Sequence, residues 1–429
     1  YEQYNARTNF TYKITKRLIG GTNVFFSKID HNRVITDVNN DRGALKAALF
    51  TNPAYYPYDP YTGELRVWLG ADRSSRNPLA MAVMAPLNFK SLQLTANQYF
   101  KYSILNNLEL RVAVSADLNR LQQSSFMPKD FDNNVTESAR RDYSKFSQNE
   151  NATLRNENTL TYTFKRRGHQ LTALLGQETM TYNSENILLN GSFYVDDQVT
   201  PIQNASQFNS IQQNNSERVM LSFFGRLNYN YKSRYIVSLT FRRDGSSRFG
   251  KNKRYGNFPS ASVGWRFSDE NFMKFARKVL SDGKLRFSYG QTGNQSVGNY
   301  TWQGVYAANS QRYDGTVTIS HDGLANYNLG WETTTQYNAG IDLSFFDGRI
   351  LTSADVYLKQ SKDLLFDFPL PSYTGFSSVS TNFGAMENRG VEFLLNTVNL
   401  KGKFRWNTSF NIYLNRNTIT RLPNGEDVI

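Results

Sequence analysis

The stretch ERVMLSFFGRLNYNYKSRYIVSLTFRRDGSSRFG, residues 217–250, decides how the rest of the chain is read. Its first half places Val219, Leu221, Phe223, Gly225, Leu227, Tyr229 and Tyr231 on one face, against Arg218, Ser222, Phe224, Arg226, Asn228 and Asn230 on the other. Alternation with period two marks a strand with one apolar and one polar side. After Lys232 and Ser233 the pattern restarts, with Tyr235, Val237, Leu239 and Phe241 opposed to Ser238, Thr240 and Arg242. Soluble sheets with one wet face also alternate, so length and aromatic placement carry the argument. Each half runs to about ten residues or more, the span of a tilted transmembrane strand and above the usual length in soluble sheets. Tyr229, Tyr231 and Tyr235 crowd the turn end of the apolar face, where the aromatic girdle of a membrane barrel sits. The hairpin reads as one piece of an outer-membrane barrel.

Composition agrees. The 429 residues contain no cysteine, which excludes disulfides and thiolate metal sites. Aromatic residues reach 14% while the hydrophobic fraction is only 39%, and the mean hydropathy is negative. That combination suits a barrel with a polar interior and wet loops rather than a helical membrane protein. No run of about eighteen apolar residues supplies a transmembrane helix. The opening YEQYNARTNF has no signal-peptide core; since a barrel protein must be exported, the chain is expected to be processed or part of a longer polypeptide. A net charge of +13 raises nucleic-acid binding, yet the Lys and Arg residues sit singly on polar strand faces and in turns, without a basic stripe. A basic lumen or loop surface facing anionic lipid or substrate fits better.

The same pairing recurs along the chain. The opening strand alternates Ala6, Thr8, Phe10, Tyr12 and Ile14 with Asn5, Arg7, Asn9, Thr11 and Lys13, and returns through Thr22, Val24 and Phe26 after a turn placed at 16–21. A long connection over 30–95 follows, with a helix expected at 42–50 and a Tyr/Pro turn cluster at 53–61. Further pairs read as 96–105 with 108–118, 160–164 with 171–178, the hairpin of residues 218–244, 259–267 with 284–290, 333–345 with 350–358, and 391–397 with 404–414. Long polar connections are expected over 119–155 and up to Ser216. The link 268–283 is expected to carry a helix capped by Ser268, with Phe272, Phe275 and Val279 as its apolar stripe. Asp347-Gly348 is a strong hairpin turn signal.

Short turns within pairs and long polar loops between them reproduce the asymmetry of brief periplasmic turns and long extracellular loops. The fold class is therefore all-β, a transmembrane antiparallel β-barrel, with about fourteen strands in this chain. An open sheet edge in lipid leaves backbone groups unpaired, so further strands are expected from elsewhere in the same polypeptide.

The segments LTFRRDGSSRFGKNKRYGNFPSASVGWRFSDENFM, residues 239–273, LSDGKLRFSYGQTGNQSVGNY, residues 280–300, and NRGVEFLLN, residues 388–396, closely resemble the SusC/RagA family of TonB-dependent outer-membrane transporters of the Bacteroidetes. The likeness is densest over 218–396. It implies a 22-stranded barrel closed by an N-terminal plug domain, a SusD-like surface lipoprotein as partner, the TonB complex pulling on the plug, and oligosaccharide or peptide cargo. The plug and the final barrel strands are absent from residues 1–429, so energised transport is expected of the parent protein. The family motif comprises Arg243, Asp244, Gly245, Arg248, Phe249, Gly250, Phe258, Pro259, Gly264, Trp265, Gly290, Gly293 and Asn294, to which a structural role is assigned.

Each functional motif has a plainer reading. The arginines of RRDGSSR, residues 242–248, suit an anionic substrate group; pairing with local carboxylates is preferred. The glycines of 290–298 have no following helix for a dinucleotide cradle and are read as a loop leaving a strand. His31, His169 and His321 stand apart and are taken as solvated loop residues. Asp196-Asp197 allows Ca²⁺ in the 194–200 loop, but adjacent carboxylates do not make a site; no cofactor is otherwise expected. Phe224, Arg226, Arg242, Tyr357 and Tyr413 are the candidate substrate residues of the lumen, with packing of the aromatics against the plug preferred over sugar stacking. No nucleophile motif marks an enzyme. The alternatives to an importer are a passive porin or adhesin and a soluble glycan-binding β protein whose Asn-x-Ser/Thr sites would be glycan acceptors.

Overall fold

A computed structural model describes residues 1–34, 43–70, 75–131, 142–196 and 198–422. Fourteen strands form one antiparallel sheet, each hydrogen-bonded to its neighbours in chain order. They are β1 (Glu2–Lys13), β2 (Leu18–Val34), β3 (Pro86–Leu105), β4 (Leu108–Met127), β5 (Tyr143–Arg166), β6 (His169–Ser192), β7 (Gln207–Tyr231), β8 (Tyr235–Ser246), β9 (Tyr255–Trp265), β10 (Leu280–Asn294), β11 (Glu332–Phe345), β12 (Ile350–Lys362), β13 (Ala385–Lys401) and β14 (Arg405–Arg421). All seven pairs read from the sequence are adjacent in the sheet. β1 and β14 each have a single neighbour, so the sheet is open among the described residues.

The register fixes the faces. Leu239 lies opposite Leu227 and Ala261, and Val263 opposite Phe287. This side carries Leu175, Phe241, Val263, Phe287 and Val356, all exposed. Uncovered apolar area on this scale belongs to a lipid-facing surface. The opposite side is polar, with Arg242 opposite Phe224 and Phe258, and Thr240 opposite Arg226 and Ser260.

At one end the turns are tight. Arg167-Gly168 and Lys232-Ser233 have positive φ, as hairpins with the right-handed strand twist require. Asp347 and Gly348 do too, together with Phe346. The strands are longer than the sequence pattern indicates. β4 ends at Met127 and β5 begins at Tyr143, so most of the expected loop 119–155 is strand, and β6 and β7 take up most of 179–216. Alternation of apolar and polar residues ceases where a strand rises above the bilayer, while its backbone ladder continues; hydropathy loses the strand there and hydrogen bonding does not.

Other expectations are corrected. Gly20 and Gly21 belong to β2, not to the turn. A Cβ at either would stand within 2.4 Å of the Tyr12 or Tyr99 ring, so the missing side chains make room for aromatics on the neighbouring strands. Gly290 and Gly293 lie within β10 rather than in a loop beyond it. Residues 266–279 contain two 3-10 turns, Phe267–Asp269 and Asn271–Ala276, instead of a helix capped by Ser268. Glu270 between them is extended at ψ 154° and turns its carboxylate onto the strand ends, which interrupts the helix.

Buried apolar residues gather beyond the long-loop end of the sheet. Helices α1 (Ala44–Phe50) and α2 (Pro78–Met84) enclose Ala44, Ala80, Met81 and Ala85 with Met127 and Phe131. The expected helix at 42–50 is α1, and α2 is capped by buried Asn77, which accepts from the Leu79 amide at 3.1 Å. A second cluster joins Phe249, Trp302 and Leu329, with Trp331 and Leu365 against it.

Candidate functional site

The five candidate lumenal residues all project from the polar face, but they form three separate places. Phe224, Arg226 and Arg242 are neighbours on β7 and β8, whereas Tyr357 stands on β12 and Tyr413 on β14. Phe224 lies flat over Gly176, where a Cβ would come within 2.3 Å of the ring. The Arg242 guanidinium covers it at 5.3 Å. Arg242 is otherwise committed, with Nε to Asp244 at 2.7 Å, one terminal nitrogen donating to Ser222 at 2.9 Å, and Glu178 at 3.6 Å. Glu178 also holds Arg155 at 3.4 Å. Arg226, opposite Leu174 and Thr240, has no ion pair among the described residues. Tyr357 covers Gly390 in the manner of Phe224 and donates to Asn415 at 3.2 Å. Tyr413 stands opposite Glu392 and borders a cavity of about 420 Å³ with Ser353, Asp355 and Asn411.

One lumenal cluster escaped the sequence reading. Arg286 bonds Asp342 through Nε and a terminal nitrogen at 2.7 and 2.8 Å, and reaches Asp355 at 3.0 Å. The guanidinium passes over Gly340, where a Cβ would stand 2.8 Å from it and 2.3 Å from Asp355. Bidentate geometry of this kind is directional as well as attractive. Its signal is the register Arg286–Gly340–Asp355 across three strands, which single-strand alternation does not contain.

Most motif residues gather at the extracellular end. Phe249 is fully buried against Trp302 and Leu329. A Cβ on Gly250 would lie 2.0 Å from the Tyr327 carbonyl oxygen. Arg248 donates to Asn299 at 2.6 Å and to the Gln295 carbonyl at 3.0 Å. Phe258 fits over Gly256 and Gly293 and meets Trp331 edge-on at 5.4 Å. Asn294 closes β10 by accepting from the Ser296 amide. Arg243 and Gly245 are on the outer face, where both meet the Tyr255 ring. Pro259 precedes Ser260, at which the paired register with β10 ends, so its missing donor is tolerated. Gly264 lies beside the Lys284 side chain, and Gly290 faces Ser260 at ordinary contact distance.

At the short-turn end, Glu270 accepts from Arg234 at 3.0 Å, from Trp265 Nε1 at 3.2 Å and from the Tyr235 hydroxyl. These donors, the Tyr235 hydroxyl foremost, hold its carboxyl below the usual glutamate range. His169 stacks on Tyr231 at 4.5 Å and pairs with the Tyr229 hydroxyl, so it belongs to the aromatic girdle rather than to a loop. His31 and His321 lie against Phe89 and Tyr306. Asp196 accepts from the Gln198 amide, and Asp197 of the calcium expectation lies outside the described residues.

With a polar wall, an apolar outer band and loops gathered at one end, the comparison with known proteins is specific. Residues 10–427 match the family described as TonB dependent receptor-like, beta-barrel. The chain belongs to that family. TonB-dependent receptor P3 of Formosa agariphila is 32% identical over all of this chain, which covers 43% of that relative. TonB-dependent receptor SusC of Bacteroides thetaiotaomicron is 41% identical over 49% of the chain and 22% of its own length. The structure of the RagAB peptide importer in its closed-closed state superposes with a TM-score of 0.85 at 28% identity, covering 99% of this chain and 47% of that one. The chain therefore spans less than half the length of these relatives and is a section of an outer-membrane barrel wall. The soluble alternative falls with that placement.

Proposed function

We propose that this section forms the lumen wall and extracellular loops of a SusC-like nutrient importer, energised through TonB, that takes up oligosaccharides or oligopeptides with a SusD-like surface lipoprotein as partner. A plug domain and closing strands in the rest of the polypeptide complete it. The observation that carries the reading is the inner face. It is polar from β1 to β14, is cross-linked by ion pairs, and presents the flat rings of Phe224 and Tyr357. About eight strands already make a barrel that its own side chains fill; fourteen or more leave room for a plug and for passing cargo. The chemistry offered by the lumen wall is binding and passage, and membership of a receptor family supports a transporter rather than an enzyme.

The test is uptake of labelled oligosaccharide and oligopeptide mixtures by cells carrying the full-length receptor, with and without a functional TonB. Uptake of one class that stops when TonB is lost, together with co-purification of a stoichiometric surface lipoprotein, is expected. Flux that persists without TonB would identify a passive pore instead.

A further inference from the structure

The arginines of the lumen divide into two kinds. Arg111 pairs with Glu157 at 2.7 Å, Arg155 with Glu178 at 3.4 Å, Arg242 with Asp244 at 2.7 Å and Arg286 with Asp342 at 2.7 Å. Arg226, Arg218 and Arg248 have no carboxylate partner among the described residues, and of these Arg218 and Arg248 are neighbours. The β7–β8 register reaches Met220 opposite Ser246. Beyond it, the Ser247 amide donates to the Val219 carbonyl and the Val219 amide to the Ser247 hydroxyl, both at 3.0 Å. The next residues in step are Arg218 and Arg248, and the residue opposite Arg218 on β6 is Tyr182.

Both guanidinium groups are oriented. Arg218 lies over the Tyr182 ring at 4.9 Å, and that ring is itself tied to Asn151 at 2.7 Å. The Arg218 Nε is buried and has no acceptor among the described residues. Arg248 uses Nε and one terminal nitrogen on the neutral acceptors Asn299 and Gln295, and Asn299 is anchored in turn to Ser216. Burial and the adjacent Arg218 charge hold the Arg248 guanidinium below its usual proton affinity. Two like charges at one place, partly withdrawn from water, repel each other unless an anion lies between them.

We propose that Arg218 and Arg248 form an oxyanion site at the extracellular mouth of the lumen, taking a carboxylate, sulfate or phosphate group between the Arg218 fork and the remaining terminal nitrogen of Arg248. The site is independent of the import reading. Its occupant is either a free or cargo-borne anion, or an acidic side chain from another part of the assembled receptor.

Sulfate is the probe. It is titrated calorimetrically into the full-length receptor at low ionic strength, alongside Arg218→Gln, Arg248→Gln, Arg218→Lys and the exposed-loop control Lys251→Gln. Heat-shifted electrophoretic mobility confirms that each barrel is folded, and melting temperature is recorded for all. A free-anion site is expected to bind sulfate in the parent and in K251Q, at least tenfold more weakly in R218Q and R248Q, with R218K in between because the charge stays and the fork is lost. No sulfate uptake by the parent, combined with a lower melting temperature in R218Q, assigns the site to a carboxylate of the receptor itself. No uptake with an unchanged or raised melting temperature in R218Q overturns the proposal, since removing one of two unneutralised like charges then only relieves repulsion. Sulfate binding that R218Q and R248Q leave intact overturns it equally.

Discussion

The barrel wall and its extracellular cap are stabilised on different principles. In the wall, each strand repeats one rule, apolar outward and polar inward, and outer-face side chains such as Leu175, Leu239, Phe241, Val263 and Phe287 are left exposed by the protein itself. In the cap, a few residues are fully enclosed: Phe249 and Leu329 against Trp302, and Met81 of α2 with Phe131 packed against the α1–α2 pair. The wall therefore tolerates exchange within its pattern, whereas the cap depends on individual side chains. Phe249→Ala is expected to produce the largest loss, about 3–5 kcal/mol of local stability from a vacated buried site. It should be felt as protease sensitivity within 295–331, while heat-shifted electrophoretic mobility shows the barrel intact. Loss of the barrel band would mean that the cap and wall fold as one unit and that the distinction fails.

The wall's rule can be tested by placing one charge on either side of it. Leu239→Arg puts a cation on the lipid face, at a cost of about 2–4 kcal/mol near the bilayer midplane. Ser262→Arg, on the strand next to it but facing the lumen, should cost a small fraction of that. Refolding of the full receptor into micelles across a urea series compares the two. A larger cost for Ser262→Arg would show that the faces have been assigned the wrong way round, and equal costs that neither strand face is in lipid.

The same division explains what the sequence conveyed. Alternation needs only one strand at a time, so Val219 to Tyr231 and Tyr235 to Phe241 declared themselves, as did the partners at every short turn. The upper halves of β5, β6 and β7 were lost because polar residues on both faces erase the alternation once the strand leaves lipid. Of the lumenal residues, membership of the inner face followed from parity alone, which is why Phe224, Arg242, Tyr357 and Tyr413 were nameable. Their partners were not. Gly176 beneath Phe224, Gly340 beneath Arg286 and Arg218 beside Arg248 depend on register between strands, and a single sequence contains no register beyond the tight turns. The motif glycine Gly293 reads as loop punctuation in the sequence, and Gly250 only as a structural motif residue; they are gaps into which the Phe258 ring and the Tyr327 carbonyl fit.

Arg286→Gln probes the register directly, with a smaller expected effect. It leaves Asp342 and Asp355 facing each other over Gly340 without their cation. Because all three side chains are partly solvated, a loss of about 1 kcal/mol is expected. The second substitution Asp342→Asn should recover part of it by removing the like-charge contact. Full additivity of the two changes would show that the ion pairs do not interact as a cluster.

Glu270 carries the smallest and most conditional effect, at the end of the wall opposite the cap. Its carboxylate gathers Arg234, Tyr235 and Trp265, residues at the ends of two adjacent strands, and closes the wide connection 266–279 on the short-turn side. Since these donors depress its folded pKa, the stabilisation is present above the ordinary glutamate value of 4.5 and disappears as pH falls through the lower, folded one. The difference in melting temperature between the parent and Glu270→Gln should thus be constant from neutral pH down to about 5.5, and then narrow on further acidification. A difference that stays flat through the acid range would mean that the glutamine amide replaces the carboxylate's contacts. The turn would then be held by hydrogen-bond geometry alone, as the tight turns beside it are.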